Sequence, residues 1–206
     1  MTQAIRRATM PPVFRCRHAP LALPAEVVDE LAARYREPHR AYHTVDHVTE
    51  VLRWFDWVAE RPGWDRPSDV YLAIVFHDAI YDPLARDNEV RSAALARARV
   101  AASEYTQDLI VLTSGHGAPT ANLDRDAAHF LDCDLAILGA PPAVFDAYDA
   151  AIALEYRAMD PVAFLTGRRS FLAGMLAQPR LFHSPLFHAE LDAAARANLS
   201  RACARQ

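Results

Sequence analysis

Apolar residues recur at helical spacing along almost the whole chain, and the strict alternation that marks a half-buried strand is nearly absent. Residues 1 to 23 are irregular, with Pro11, Pro12 and Pro20 breaking any pattern. From about Pro24 to Tyr35, Val27, Val28, Leu31 and Ala32 form a first apolar stripe with proline at its start. Residues 37–42 make a tight connection. Thr44 can then cap a second helix carrying Val48, Val51, Leu52, Phe55 and Val58. A loop over 61–67 follows, and Ser68 is placed to cap an apolar helix that ends on His77-Asp78. Asp87 can cap an alanine-rich helix over 88–102, and a shorter helix covers 105–114. The next starts near Asp124, and residues 139–142 close it and open a helix to about Tyr156. Segments 162–177 and 185–202 complete the set, with no repeat or interdomain linker between them. The pattern predicts an all-α fold: an irregular tail over residues 1–23, then one helical domain over 24–206.

Composition narrows the function classes. A length of 206 residues suffices for one well-filled core, and 52% hydrophobic with 23% charged residues fits a soluble globular protein. The net charge of -4 argues against a nucleic-acid polymer as partner. Arg6, Arg7, Arg15 and Arg17 read as a solvated tip. Cys16, Cys133 and Cys203 lie far apart with no C-x-x-C, which points to a reducing compartment. No apolar stretch approaches the ~20 residues of a membrane span, and no signal-peptide core precedes the first helix. A cytoplasmic location is expected, with no membrane partner; a homo-oligomer is compatible with the sequence. All 22 basic residues are arginine. Lysine mechanisms, whether Schiff base or P-loop, are therefore excluded, and any phosphate clamp must use Arg.

The chemistry concentrates at His77-Asp78, which ends the apolar run 71–76. An unpaired buried charge is costly, so a His-Asp doublet at a core edge calls for a partner. A helix break at Asp82-Pro83 leaves the chain room to turn both side chains toward one point. His43 and His47, four apart, share a helical face, and Asp134 sits between Leu131 and Leu135 with Asp132 as its competitor. Alone, each has a plain reading: surface histidines at a helix start, or a capping acid. Together, two or more imidazoles and carboxylates suit a borderline divalent metal. Arg40 and Tyr42 add a cation and a phenol beside His43, the inventory of an anion-handling site. Trp54, Phe55 and Trp57 read as core and rim of the second helix, and His129, His183 and His188 as surface or packing residues.

These pieces resemble the HD superfamily of metal-dependent phosphohydrolases, whose pattern H…HD…D falls here on His47, His77, Asp78 and Asp134. Residues 42–47, Tyr-His-Thr-Val-Asp-His, are similar to the Y-H-N-x-x-H segment of cyclic-nucleotide phosphodiesterases. In that segment the second histidine is the metal ligand and the first the proton donor, the role His43 inherits. A bacterial family of predicted HD phosphohydrolases is more similar still. Its phrases occur in order at residues 37–43, 76–82, 87–89, 130–139, 167–168 and 195–199, a likeness spanning roughly residues 25–202.

The resemblance implies a single-domain HD-type helical bundle holding a divalent ion (Mn, Fe, Zn, Ni or Mg). One ion is the expectation, and His116 is the candidate ligand for a second, in which case Asp78 would bridge the two. The implied reaction is hydrolysis of a phosphoester or phosphoanhydride, nucleotides included, by metal-activated water. In that reading Asp78 and Glu89 join His43 in the catalytic set, while Arg40, Tyr42, Arg86 and Arg168 face a small phosphate-containing substrate. Two alternatives accompany it: an HD-fold di-iron oxygenase, and a non-catalytic HD module that binds a nucleotide or a partner.

Overall fold

The computed structural model describes residues 13–115 and 122–205, and every regular element among them is helical. In order these are α1 (Ala25–Arg34), α2 (Val45–Ala59), α3 (Pro67–Phe76), α4 (Asn88–Val100), α5 (Glu104–Leu112), α6 (Arg125–Leu135), α7 (Pro142–Glu155), α8 (Pro161–Ala177) and α9 (Pro185–Arg205). Short 3-10 turns follow α5 and α6, at Thr113–Gly115 and Ala136–Gly139. The all-α expectation holds, and the boundaries fall close to those the apolar stripes predict. No single helix among the described residues is long and apolar enough to cross a membrane.

The sequence of α3 explains the arrangement. From Val70 to Phe76 it is apolar on every side, so it must be surrounded, and α2, α4, α5 and α6 all pack on it. Ile74, Val75 and Phe76 are completely buried, each contributing roughly 1.5–3 kcal/mol of burial. α2 is amphipathic in the ordinary way. Thr44 accepts a hydrogen bond from the Asp46 N–H at its start, and Val48, Val51, Leu52, Phe55 and Val58 all face inward. Trp54 and Trp57 pack against Phe187 of α9, the rim role expected of them.

Two predicted caps differ from the structure. α3 begins at Pro67, so Ser68 lies inside the first turn and caps nothing. The carboxylate of Asp126 in α6 holds this start instead, accepting from the N–H groups of Asp65 (3.0 Å) and Arg66 (2.7 Å). Asp87 stands at the N-cap of α4 without a side-chain capping bond. α8 starts on Asp160, whose carboxylate accepts from the Ala163 N–H.

α9 closes the C-terminal half. A Cβ on Gly139 would lie 2.7 Å from the Cβ of Leu191, so only glycine lets α9 approach the turn after α6 this closely. Asn198 fixes that turn, its Nδ2 donating to the carbonyls of Leu138 and Ala140, both at 2.8 Å.

One core residue is mismatched to its surroundings. His129 of α6 is 5% exposed, faces Trp64 and Phe187, and neither ring nitrogen has a hydrogen-bond partner. Burial lowers its pKa; Asp126 opposes this and Arg125 adds to it. The neutral ring is thus the folded form, while the unfolded chain takes up a proton below about pH 6.5. Stability present above that pH is therefore lost as the pH falls from about 6.5 toward the lowered folded value. His129→Leu is expected to raise unfolding free energy by about 1–2 kcal/mol at pH 7, and by more at pH 5. Urea titrations at the two pH values measure it; an equal or smaller gain at pH 5 would contradict the assignment.

Candidate metal centre and adjoining cavity

The end of α3 brings the site together. His77 takes the last helical geometry, and its Nδ1–H donates to the Ile74 carbonyl at 2.8 Å. That bond fixes the tautomer and leaves the Nε2 lone pair pointing outward. His47, in the first turn of α2, lies with its Nε2 3.1 Å from the His77 Nε2. Asp134, near the end of α6, brings Oδ1 to 3.1 Å from His47 Nε2 and 3.5 Å from His77 Nε2. His47, His77 and Asp134 thus form a group that could hold a metal ion. Asp78 Oδ2 lies 3.0 Å from His77 Nε2 and 3.5 Å from His47 Nε2.

Donors bound ~2.1 Å from one ion would stand roughly 3.0–3.4 Å apart, so these separations suit a shared cation. Pairwise salt bridges explain them less well, because two imidazole nitrogens face each other at hydrogen-bond distance. Electrostatics agree. Burial disfavours protonation of His47 and His77, yet the two carboxylates outweigh it and raise both pKa values. Burial likewise opposes charge on Asp78, and His77, His43 and His47 overcome it and hold the carboxyl well below its usual range.

The competition between the two acids of α6 resolves by angle, since residues two apart on a helix point roughly 200° apart. Asp134 faces the histidines. Asp132 faces the segment leading into α9, accepting from the N–H groups of His183 and Ser184, both at 2.7 Å, and burial raises its pKa to about 6 against those bonds.

His43 stands beside the group without joining it. Its ring centroid is 5.8 Å from that of His47, and its Nδ1 lies 2.7 Å from Glu155 Oε2. Glu155, the last residue of α7, organises this side of the site. Its Oε1 accepts from the backbone N–H groups of Ala41, Tyr42 and His43 at 2.7–2.9 Å, and its Oε2 also accepts from the Tyr81 hydroxyl at 2.8 Å. Burial works against its charge, but the His43 contact and the backbone donors prevail and hold the carboxyl at about 2. The sequence reading missed Glu155. One signal was available: an acid on the last turn of an apolar helix opposes the helix dipole, so it needs a partner elsewhere.

Arg40 requires a correction. Read from the sequence as a phosphate contact, it has a side chain with no solvent exposure. Its guanidinium donates to the carbonyls of Asp78 (2.8 Å), Ala79 (3.2 Å) and His43 (2.9 Å) and to Glu37, between the rings of Tyr35 and Tyr81. It caps the carboxyl end of the α3 segment, where a cation complements the helix dipole, and ties that end to the chain entering α2. Arg86 is exposed and lies outside the cavity lining. Asn88 clamps the intervening loop, exchanging bonds with the backbone N–H and carbonyl of Asp82 at 3.0 and 2.8 Å.

A cavity of about 460 Å³ opens over the group. Of the predicted site residues, Tyr42, His43, Asp78, Glu89, Asp134 and Arg168 line it. Tyr42 wedges between His47 (4.8 Å between centroids) and Tyr148 of α7 (4.6 Å), and burial keeps its phenol protonated. Arg168 of α8 bonds Asp149 through Nε and Nη2 at 3.0 and 2.8 Å. His116, the proposed ligand for a second ion, lies outside the described residues. Comparison with protein-family models, curated proteins and solved structures returns no match, so the site is read on its own chemistry.

Proposed function

We propose that this chain is a metal-dependent phosphohydrolase with an HD-type bundle, using His47, His77, Asp78 and Asp134 as ligands to one divalent ion. The observation that carries the reading is a His-His-Asp group whose two histidines are buried and whose Asp134 lines a cavity, with a carboxylate-oriented histidine beside it. A divalent ion in this mixed imidazole and carboxylate set supplies a Lewis acid and lowers the pKa of a bound water. The protein's own contribution is positional. Glu155 fixes the tautomer and angle of His43, leaving Nε2 to pass a proton to the leaving oxygen of a bound ester. Asp78 lines the cavity and touches both ligand histidines, so its carboxylate can also orient an attacking water. The Tyr42 phenol, kept protonated, donates a hydrogen bond and does not act as a base. Glu89 faces the same space from the first turn of α4.

The test is metal content together with turnover. Protein stripped and reloaded with Mn, Fe, Zn, Ni or Mg in turn should retain about one ion per chain and release phosphate from some member of a broad ester panel. Hydrolysis of nothing in that panel would overturn the enzyme reading, and two irons per chain with oxygen consumption would establish the oxygenase alternative instead. His43→Ala should keep the ion and slow turnover by ~10²-fold or more, the usual effect of lost general acid catalysis. Loss of the ion in that variant would show that His43 is itself a ligand.

A further inference from the structure

The cavity lining is of two kinds. His43, Asp78, Glu89 and Asp134 bring polar and charged groups, and rings come from α7, α8 and the turn between them: Tyr148, Tyr156, Phe164 and Phe171. Tyr156 and Phe164 stack, with centroids 5.6 Å apart and planes within 29°. The Arg168 guanidinium lies 5.3 Å from the ring centroids of both Tyr148 and Phe171. Both bonds it makes along one edge go to Asp149, so Arg168 braces the ring wall.

The charge inventory is also one-sided. Asp78, Glu89 and Asp134 are carboxylates, and Arg168 is the sole arginine among the described lining residues. A polyphosphate taken out of water needs several fixed cations, because each phosphoryl group left unpaired beside carboxylates is repelled and desolvated. With that arginine already bonded to Asp149, a single divalent ion would be left to meet the phosphoryl charge, enough for one such group and not for several. The volume is consistent with this, falling in the lower half of the roughly 300–1,000 Å³ typical of small-molecule sites.

We infer that, on the phosphohydrolase reading above, the substrate is an ester with one phosphoryl group whose organic part is a flat ring system laid against Tyr148, Phe164 and Phe171, and that polyphosphates are excluded. The ring lies on the aromatic side chains while the phosphoryl group sits beside His43. This narrows the reaction to ester cleavage: water attacks phosphorus, the P–O bond to the organic group breaks, and the alkoxide formed takes its proton from His43.

Steady-state rates of the Mn-loaded protein test the inference, with uridine and adenosine 5′-monophosphate, glycerol 2-phosphate, ATP and inorganic pyrophosphate as probes. The ring-bearing monophosphates should exceed glycerol 2-phosphate in kcat/KM by roughly 10- to 100-fold, as stacking on aromatic side chains does. ATP and pyrophosphate should be poorer than both monophosphates. Phe164→Ala should shrink the ring preference through KM. Equal rates for glycerol 2-phosphate and the nucleotides, or ATP as the best substrate, would overturn the inference and leave the phosphohydrolase reading standing. If nothing is turned over, calorimetry with adenosine 5′-monophosphate and glycerol 2-phosphate separates the two. Ring-dependent binding without turnover would overturn hydrolysis but keep the ligand class, and no binding would overturn both.

Discussion

His77→Ala should leave the protein unable to retain a divalent ion, with turnover down by on the order of 10³-fold or more even at saturating metal. His77 is 1% exposed, its Nδ1 is anchored to the Ile74 carbonyl, and its Nε2 reaches both carboxylates and His47. The readouts are metal content after dialysis and the shift of the thermal midpoint on adding metal. Binding at a hundred times Kd stabilises the native state by about 2.7 kcal/mol, a gain that His77→Ala should lack. Acid should mimic the substitution in the wild-type protein. The carboxylates raise the pKa of His47 and His77, so below those raised values each ion bound must displace protons, and affinity falls as pH falls. A variant that retains metal as the wild type does would remove His77 from the ligand set.

Glu155 gives the second large effect, with a different signature. Glu155→Gln keeps an oxygen for the N–H groups of residues 41–43 but turns an amide donor toward the Tyr81 hydroxyl and His43 Nδ1. Metal content should be unchanged, while kcat falls by roughly 10²-fold as His43 loses its orientation. Glu155→Ala removes both oxygens and leaves those donors unpartnered in the interior, at a cost of about 3–5 kcal/mol in denaturant unfolding. The pH dependence follows from the carboxyl being held at about 2. Its contribution to stability is complete above about pH 4.5, the ordinary range of the unfolded side chain, and disappears as the pH falls toward 2. Wild-type kcat in Glu155→Gln would reduce Glu155 to a purely structural residue.

How far the sequence discloses this molecule depends on the range of the interaction. The apolar stripe of α2 and the all-round apolar run of α3 are local, and both elements appear where their periodicity places them. The candidate metal group was legible only in combination: a His-Asp doublet ending a core helix and an acid between Leu131 and Leu135 each have a plain reading alone, and together with His47 they call for a shared cation. Its supports were not legible. Glu155 lies 112 residues from His43 in sequence, and nothing local says that they meet. Arg40 was misread for the same reason, since a cation in a loop looks solvent-facing until the carbonyls that surround it are known. Asp132 and Asp134 could not be told apart without the position of the segment leading into α9.

Arg40 also governs the mechanics of the site. Its rigid planar fork grips carbonyls on both banks of the cleft, at His43 on one side and at Asp78 and Ala79 on the other. The gap between His43 and the His77-Asp78 doublet is therefore spanned by one guanidinium, much as a spacer holds two plates apart. Arg168 and Phe171 sit on α8, outside that span, so substitutions in the ring wall leave the spacer's own bonds in place.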